Sequence, residues 1–302
     1  MTEQGMRPLI FGEVLFDCFP DGSAVLGGAP FNVAWHLQAF GLQPLMITRI
    51  GCDMMGDDIE SSMQHWGMDC SGLQRDAKHA TGRVDVSFNN GEPAYDIVDS
   101  AAYDFIDASE LPELAGAWLL YHGSLALRHN ESARAVAHLN KANIHTRLVD
   151  INLRAPWWQH RRLFELMHGA SWVKLNADEL VTIFPAESSK EKQLRLLMNN
   201  VSDGVLLTGG EAGASLHPKG DGSDCAVSPA TKVDVVDTVG AGDAFCSVFL
   251  AGLLLEWPAG LCMQRAQQFA SAIVGIRGAT PQDVSFYDPF MKSWGIRSQS
   301  DV

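Results

Sequence analysis

The sequence predicts an α/β fold on a mostly parallel sheet, and three observations carry that prediction. Apolar runs of strand length alternate with segments of helical period, which is how a chain buries a parallel sheet between layers of helices. Polar and Gly-rich clusters follow those runs, at the carboxyl ends of the expected strands, where open α/β sheets hold ligands. One stretch, from Thr81 to Ile106, departs from the alternation and reads as a β-hairpin set into the α/β pattern.

The expected strands are Leu9 to Phe11, Leu45 to Ile50, Trp118 to His122, Thr146 to Ile151, Trp172 to Leu175 and Val205 to Thr208. Between them the helical period predicts Pro30 to Phe40, Asp57 to Trp66, Glu131 to Ala142, Arg161 to His168, Ala177 to Phe184 and Glu191 to Asn199. The first of these has Pro30 at its first position and stops before Gly41, so both ends are marked. The hairpin reads as TGRVDVSF and AYDIVD joined through Asn89, Asn90 and Gly91, an Asn-Gly turn signal, and Val14 to Leu26 offers further strands beside it. Short strands are expected at Ala214 to His217, Cys225 to Val227 and Val233 to Val236, with a Gly-rich turn at Gly220 to Gly222. Two long helices, Ala241 to Leu255 and Gly260 to Ile276, complete the pattern.

Composition bounds the function. The 302 residues carry 22 Lys plus Arg against 36 Asp plus Glu, a net charge of −14, with 46% apolar residues, enough for a large core. Such acidity repels phosphodiester backbones and anionic membranes, and no basic run opposes it, so neither nucleic acid nor membrane is an expected partner. The six cysteines show no C-x-x-C spacing, no apolar run approaches the roughly 18 residues of a membrane span, and no leader is seen, so a reduced, cytoplasmic protein is expected. The ten histidines form no H-E-x-x-H pattern, and neither a Walker loop nor the H-R-D and D-F-G pair of protein kinases occurs.

Four clusters can carry chemistry. Asp237-Thr238-Val239-Gly240-Ala241-Gly242-Asp243 opens a strongly apolar helix, and small residues at a helix N-terminus expose amides and a favourable dipole to an anion. Asp243, one turn in, is placed to take a proton from an attacking hydroxyl. Read alone, the segment is equally an Asp-rich loop before an acidic first turn, but the full string is far more specific than a lone Gly-x-Gly. Gly27-Gly28-Ala29-Pro30-Phe31-Asn32 precedes the first helix, and Asn32 with Asp17 can read vicinal hydroxyls; the plain alternative is a flexible loop. Lys174-Leu175-Asn176-Ala177-Asp178-Glu179 passes from strand to helix, where oxygen ligands suit magnesium and where, equally, Asn176 can simply cap the helix. Thr208-Gly209-Gly210-Glu211-Ala212-Gly213 suits a nucleotide phosphate, or is a tight turn.

With these residues in view, the chain resembles the ribokinase-like sugar kinases, the PfkB carbohydrate kinase family, and within it the bacterial fructokinases. The resemblance runs from Gly12 to about Pro281. Its first signature is matched by Gly27, Gly28, Asn32, Ala34, Gly41 and Gly51, its second by Asp237 through Asp243. It implies a three-layer αβα sandwich, a single ribokinase-like domain over residues 1–302 with a small β-lid inserted at about 14–26 and 81–106. It implies ATP as phosphoryl donor, Mg²⁺, and a monovalent cation such as K⁺. Carried over to this sequence, Asp243 is the implied catalytic base and Gly240, Ala241 and Gly242 the anion hole. Asp17, Gly27, Gly28 and Asn32 match sugar positions, and Asn176 and Glu179 match the N-x-x-E motif that organises magnesium, indirectly. Lys174, Thr208, Gly210 and Gly213 fall on the nucleotide-phosphate side, Ala272 on the adenine side, and Asp237 and Val239 in the monovalent-cation region.

Asp150-Ile151-Asn152-Leu153-Arg154-Ala155-Pro156-Trp157-Trp158 resembles the fructokinase D-x-N-x-R-x-x-x-W stretch, in which Arg154 is a fork of donors for a sugar hydroxyl, or pairs with a nearby carboxylate. Trp157 and Trp158 read as packing. Val248 departs from the small residue usual in the second signature, and the hairpin residues Val86, Phe88, Tyr95 and Ile97 fit no specificity pattern. The expected activity is ATP-dependent phosphorylation of the 6-hydroxyl of D-fructose. The alternatives are another small sugar (2-keto-3-deoxygluconate, ribose or a ribonucleoside), a non-catalytic sugar- or nucleotide-binding regulator, and, lowest, a phosphosugar kinase, for which no cation lies near Gly27 to Asn32. A homodimer through the lid edges is expected.

Overall fold

In the computed structural model, residues 5–89, 92–220, 222–229 and 234–296 are described. The chain runs β1 (Arg7–Phe11), β2 (Leu15–Cys18), β3 (Ala24–Gly27), α1 (Ala29–Ala39), β4 (Leu45–Gly51), α2 (Met54–His65), β5 (Leu73–Asp76), β6 (Gly82–Asn89) and β7 (Glu92–Ile97). It continues with β8 (Trp118–His122), α3 (Asn130–Leu139), β9 (Ile144–Asp150), α4 (His160–Met167), β10 (Ala170–Asn176), α5 (Ala177–Ile183), α6 (Lys190–Met198) and β11 (Val201–Thr208). β12 (Ala214–Pro218), β13 (Cys225–Val227), α7 (Ala241–Leu254), α8 (Ala259–Val274) and α9 (Asp288–Trp294) complete it.

Nine strands form one sheet in the order β13-β12-β11-β10-β9-β8-β1-β4-β5, parallel from β11 to β5 and antiparallel at the β12–β13 edge. From β1 the chain builds outward through β4 to β5, then returns to β8 on the other side of β1. The order therefore reverses between β1 and β8, and such a switch point opens a crevice at the carboxyl ends of the strands. The alternation of side chains sorts the two faces. Ile10, Tyr121 and Leu148 pack with α1, α7 and α8, whereas Val149 and Val173 pack with α4, α5 and α6 and Leu120 with α3. Helices on both faces of the sheet make the expected αβα sandwich.

A second, four-stranded sheet has the order β3-β2-β6-β7. β6 and β7 pair antiparallel as the hairpin reading expects, with Val84 opposite Ile97 and Val86 opposite Tyr95, although Asn90 and Gly91 of the turn lie outside the described residues. β2 joins β6 in parallel, so this sheet is mixed. Its inner face buries Val84, Val86 and Ile97 while Phe88 and Tyr95 on the hairpin stand exposed. Beyond Ile97 the chain leaves the strand, and residues 102–105 form a 3₁₀ turn.

Two local readings are corrected. Pro30 is the second residue of α1, because Ala29 begins the helix and Gly28 caps it. Residues 234–236 form no strand, Val233 lying outside the described residues: among the described residues no strand pairs with them, the Val236 N–H donates to the carbonyl of Val274 at the end of α8, and Val235 and Val236 are exposed. β-Branched side chains alone do not make a strand without a neighbour to pair with. β5 and α9 were not anticipated, each being a short element without a full period of pattern. Residue 221 of the Gly220 to Gly222 turn lies outside the described residues. Val248 packs fully buried in α7 without disturbing it.

Candidate active site

The DTVGAGD segment is built as a rigid helix entrance. Gly240 adopts φ 78°, ψ −4° at the N-cap of α7, and a Cβ there would lie 2.3 Å from the Cβ of Ala279, so no larger residue fits. Asp237 fixes the approach: one carboxylate oxygen accepts from the Val239 N–H at 3.0 Å, the other from the Gly278 N–H at 3.1 Å. No side chain caps α7, so the amides of Gly242 and Asp243 are left for an anion.

Asp243 sits in the first turn, and its Oδ2 accepts from Asn32 Nδ2 at 2.8 Å, joining α7 to α1 across the sugar-loop region. Oδ1 has no protein partner among the described residues. Burial raises the Asp243 pKa, against the opposing influence of Lys174 and of the Asn32 hydrogen bond. Lys174, expected on the nucleotide-phosphate side, turns its ammonium to Asp150 at 2.8 Å and lies 3.2 Å from where a Gly242 Cβ would be. Its charge therefore reaches the anion turn from beneath. Burial opposes that charge, but Asp150 outweighs it and the Lys174 pKa is raised. Tyr121 also donates to Asp150, at 3.2 Å.

The residues around the Gly27 to Asn32 loop gather on the near side. Gly28 (φ 110°) lets the backbone pass the Glu13 carbonyl, which a Cβ would approach to 2.7 Å. Asp17 on β2 lies close to Gly27, and burial raises its pKa while Arg154 opposes the rise. Arg154 is exposed, donates only to the carbonyl of Leu153, and makes no ion pair among the described residues, so the pairing alternative does not hold. Its charge opposes the effect of burial on the carboxyls of Glu13, Asp17 and Asp243.

Backbone hydrogen bonds shape the remaining clusters. Asn176 Oδ1 accepts from the Glu179 N–H at 2.8 Å, and Glu179 returns the bond to the Asn176 N–H, a capping box at the start of α5. The second Glu179 oxygen accepts from the Leu153 N–H at 2.7 Å, which ties the Arg154 segment to α5. Thr208 ends β11, and Gly209 to Gly213 close the tight turn into β12; a Cβ on Gly213 would lie 2.0 Å from the Val227 carbonyl oxygen. Ala272 lies near the end of α8, where the N–H groups of Val236 and Asp237 donate to the Val274 carbonyl and so tie the segment before Val239 to that helix.

The family model for pfkB family carbohydrate kinases matches residues 19–284. The chain belongs to this family. A fructokinase of Klebsiella pneumoniae is 29% identical over 259 residues, covering 81% of this chain and 83% of that one. A putative sugar kinase of Pyrococcus horikoshii is 26% identical, covering 83% and 79%. Among solved structures, a Vibrio cholerae fructokinase in a form with fructose, ADP and calcium bound superposes with a TM-score of 0.79 at 24% identity, over 94% of this chain and 98% of that one. The aminoimidazole riboside kinase of Salmonella enterica, complexed with aminoimidazole riboside and an ATP analogue, matches with a TM-score of 0.79, also at 24%, over 95% and 99%. No described helix is long and apolar enough to cross a membrane.

In this carbohydrate kinase the residue that sequence reading passes over is Glu13. It follows β1 at the switch point, is 2% exposed, and its Oε2 has no hydrogen-bond partner among the described residues. Only its place directly after the first strand and Gly12 marked it in the sequence. Burial pushes its carboxyl up from 4.5 to about 7, helped by Asp243 and opposed by backbone bonds and Arg154. A carboxyl whose pKa is raised by folding favours the folded state fully below its unfolded value of 4.5 and loses that contribution as pH rises through about 7. Glu13→Gln is therefore expected to be relatively more stable than the parent at about pH 8.5 than at about pH 5.5, by roughly 2 kcal/mol. Urea unfolding at the two pH values checks it; parallel stabilities would refute the assignment.

Proposed function

We propose that the enzyme is an ATP-dependent fructokinase that phosphorylates the 6-hydroxyl of D-fructose, with Asp243 as the base. The observation that carries the reading is Asp243 itself, held by Asn32 through one oxygen, with the other free at the mouth of an uncapped helix. In this reading Asp17, Gly27, Gly28 and Asn32 hold the sugar, and the unpaired fork of Arg154 takes a further hydroxyl. Asp243 Oδ1 accepts the hydroxyl proton as the oxygen attacks the γ-phosphoryl group. The amides of Gly242 and Asp243, with Gly240 and Ala241 shaping the turn and Lys174 below, receive the negative charge that develops. The second sheet acts as a lid that excludes water. ATP lies towards Thr208, Gly210, Gly213 and Ala272.

The donor set fits a magnesium ion that keeps its waters. Both Glu179 oxygens and Asn176 Oδ1 are committed to backbone amides, whereas the buried Oδ1 of Asp150 has no partner. Asn176, Glu179 and Asp150 would thus hold the ion through water, and when bound it neutralises phosphate charge. Asp237 likewise spends its carboxylate on backbone, so K⁺ near Asp237 and Val239 would rely on carbonyl oxygens.

Fructose is favoured by the bacterial and plant fructokinases among the relatives. A ribonucleoside is the second reading, supported by the equal likeness to the aminoimidazole riboside kinase. ADP release from ATP and Mg²⁺ with fructose, ribose, adenosine, 2-keto-3-deoxygluconate, glucose and fructose 6-phosphate decides between them. Turnover only on a sugar other than fructose discards the fructose reading, and none on any sugar favours a regulator. Val25, Phe88 and Tyr95 leave the lid sheet with exposed apolar side chains, which suits a second copy of the chain. Light scattering is expected to show a dimer; monomer alone at micromolar concentration counts against it.

A further inference from the structure

On the face of the main sheet opposite α7, a cavity of about 590 Å³ opens between α3 and α4. Arg134, Arg147, Arg161 and Arg162 line it, with Glu165 the sole carboxylate among its lining residues and His122 at its edge. Four guanidinium groups line one cavity in a chain whose net charge is −14, and like charges brought together are unfavourable unless counter-charges offset them. Three further observations set this cavity apart.

Arg147 extends from β9 on the side away from Leu148, whose side chain packs in the cluster of α1, α7 and α8. It makes no ion pair among the described residues, and its Nε is buried without a hydrogen-bond partner. Burial alone lowers its pKa, with no carboxylate opposing the effect. α4 begins with His160, Arg161 and Arg162 and has no acidic residue in its first turn, the reverse of what a helix dipole favours. Arg162 is held in place by the carbonyls of Arg128 and His129, at 2.9 and 3.0 Å, while Arg134 and Arg161 stand at the open rim. Arg161 is partly satisfied by Glu165 at 2.9 Å, and Arg134 only by Glu131 at 3.9 Å.

We propose that this cavity binds a phosphate-bearing metabolite at a place separate from the site of phosphoryl transfer. Guanidinium forks match phosphate oxygens in pairs, and the volume suits a molecule the size of a phosphorylated sugar. An anion there supplies the missing partner of Arg147 and the negative charge that the first turn of α4 lacks. The cavity also touches the catalytic crevice through one residue. The His122 ring is 1% exposed, its Nδ1 lies 3.0 Å from the Gly123 carbonyl, and Gly123 borders Glu13.

Calorimetric titration of the full chain with inorganic phosphate and, separately, with glucose 6-phosphate tests the proposal, in the presence and absence of ATP and Mg²⁺. Both probes are expected to bind whether or not ATP is present, and Arg147→Gln is expected to weaken binding roughly tenfold. Arg134→Gln, at the exposed rim and so without risk to folding, is expected to weaken it by a smaller factor, and Arg147→Lys to retain part of the affinity. A tighter ester than phosphate assigns an organic metabolite, and equal affinities assign free phosphate. Binding that survives unchanged in both the Arg147→Gln and Arg134→Gln proteins, that ATP displaces, or that the folded parent does not show overturns the proposal.

Discussion

Asp243→Asn is expected to lower kcat by about 10³-fold while leaving the dissociation constant for the sugar within about threefold of the parent value. The asparagine side chain has the same shape and can turn its amide oxygen towards Asn32 Nδ2, so the 2.8 Å bond that joins α1 to α7 is retained. What is lost is the oxygen that accepts a proton. Because burial raises the Asp243 pKa, turnover in the parent should also fall as pH drops through that raised value, since the base works only when ionised. The variant, having no carboxylate, should lack this limb. Calorimetry for sugar binding and steady-state rates across pH separate the two effects, and a kcat within about tenfold of the parent would remove Asp243 from its role.

The second large effect belongs to stability. Lys174 and Asp150 are 8% and 0% exposed, so their ion pair is closed to solvent. Lys174→Met removes the cation and leaves a buried carboxylate whose Oδ1 already has no partner and whose Oδ2 keeps only Tyr121. The expected loss is about 3–5 kcal/mol, read as a fall of roughly 10 °C in melting temperature. Adding Asp150→Asn should recover part of the stability, because the uncompensated charge and not the lost contact dominates the cost. It should not recover turnover, since the positive charge beneath Gly242 is gone in both proteins. A loss under about 1 kcal/mol would mean that water reaches the pair and that Lys174 contributes little to the field at the turn.

These two residues show what the amino-acid sequence does and does not disclose. The helix entrance at Asp243 was legible because its ingredients are local: small residues, a helix start and a carboxylate are neighbours in the chain, and the string Asp237 to Asp243 holds them all. The main strands and helices were legible for the same reason, their periods being local. The Lys174–Asp150 pair was hidden, as its partners are 24 residues apart and meet only because β9 and β10 are adjacent and in register. Glu13 was hidden as well: a single glutamate after a strand has no spacing to mark it, and its burial depends on the crossing of the chain beneath Gly28. For Asn176 and Glu179 the sequence left capping and ion binding open, because the choice is a matter of hydrogen bonds; in the structure both side chains accept from backbone amides.

The two bonds from Asp237 and the contact of Gly240 with Ala279 bear on the timing of catalysis. Together they fasten the start of α7 to the segment that follows α8, so in the proposed mechanism the amides that would face an anion are set in direction before any substrate arrives. Dipoles fixed in advance need not reorient as charge moves onto the transferring group, and that avoided reorganisation is where such a turn gains its advantage over water. Slow exchange of the amides around Gly278 with solvent deuterium, in the protein without ligands, is the signature this rigidity should leave.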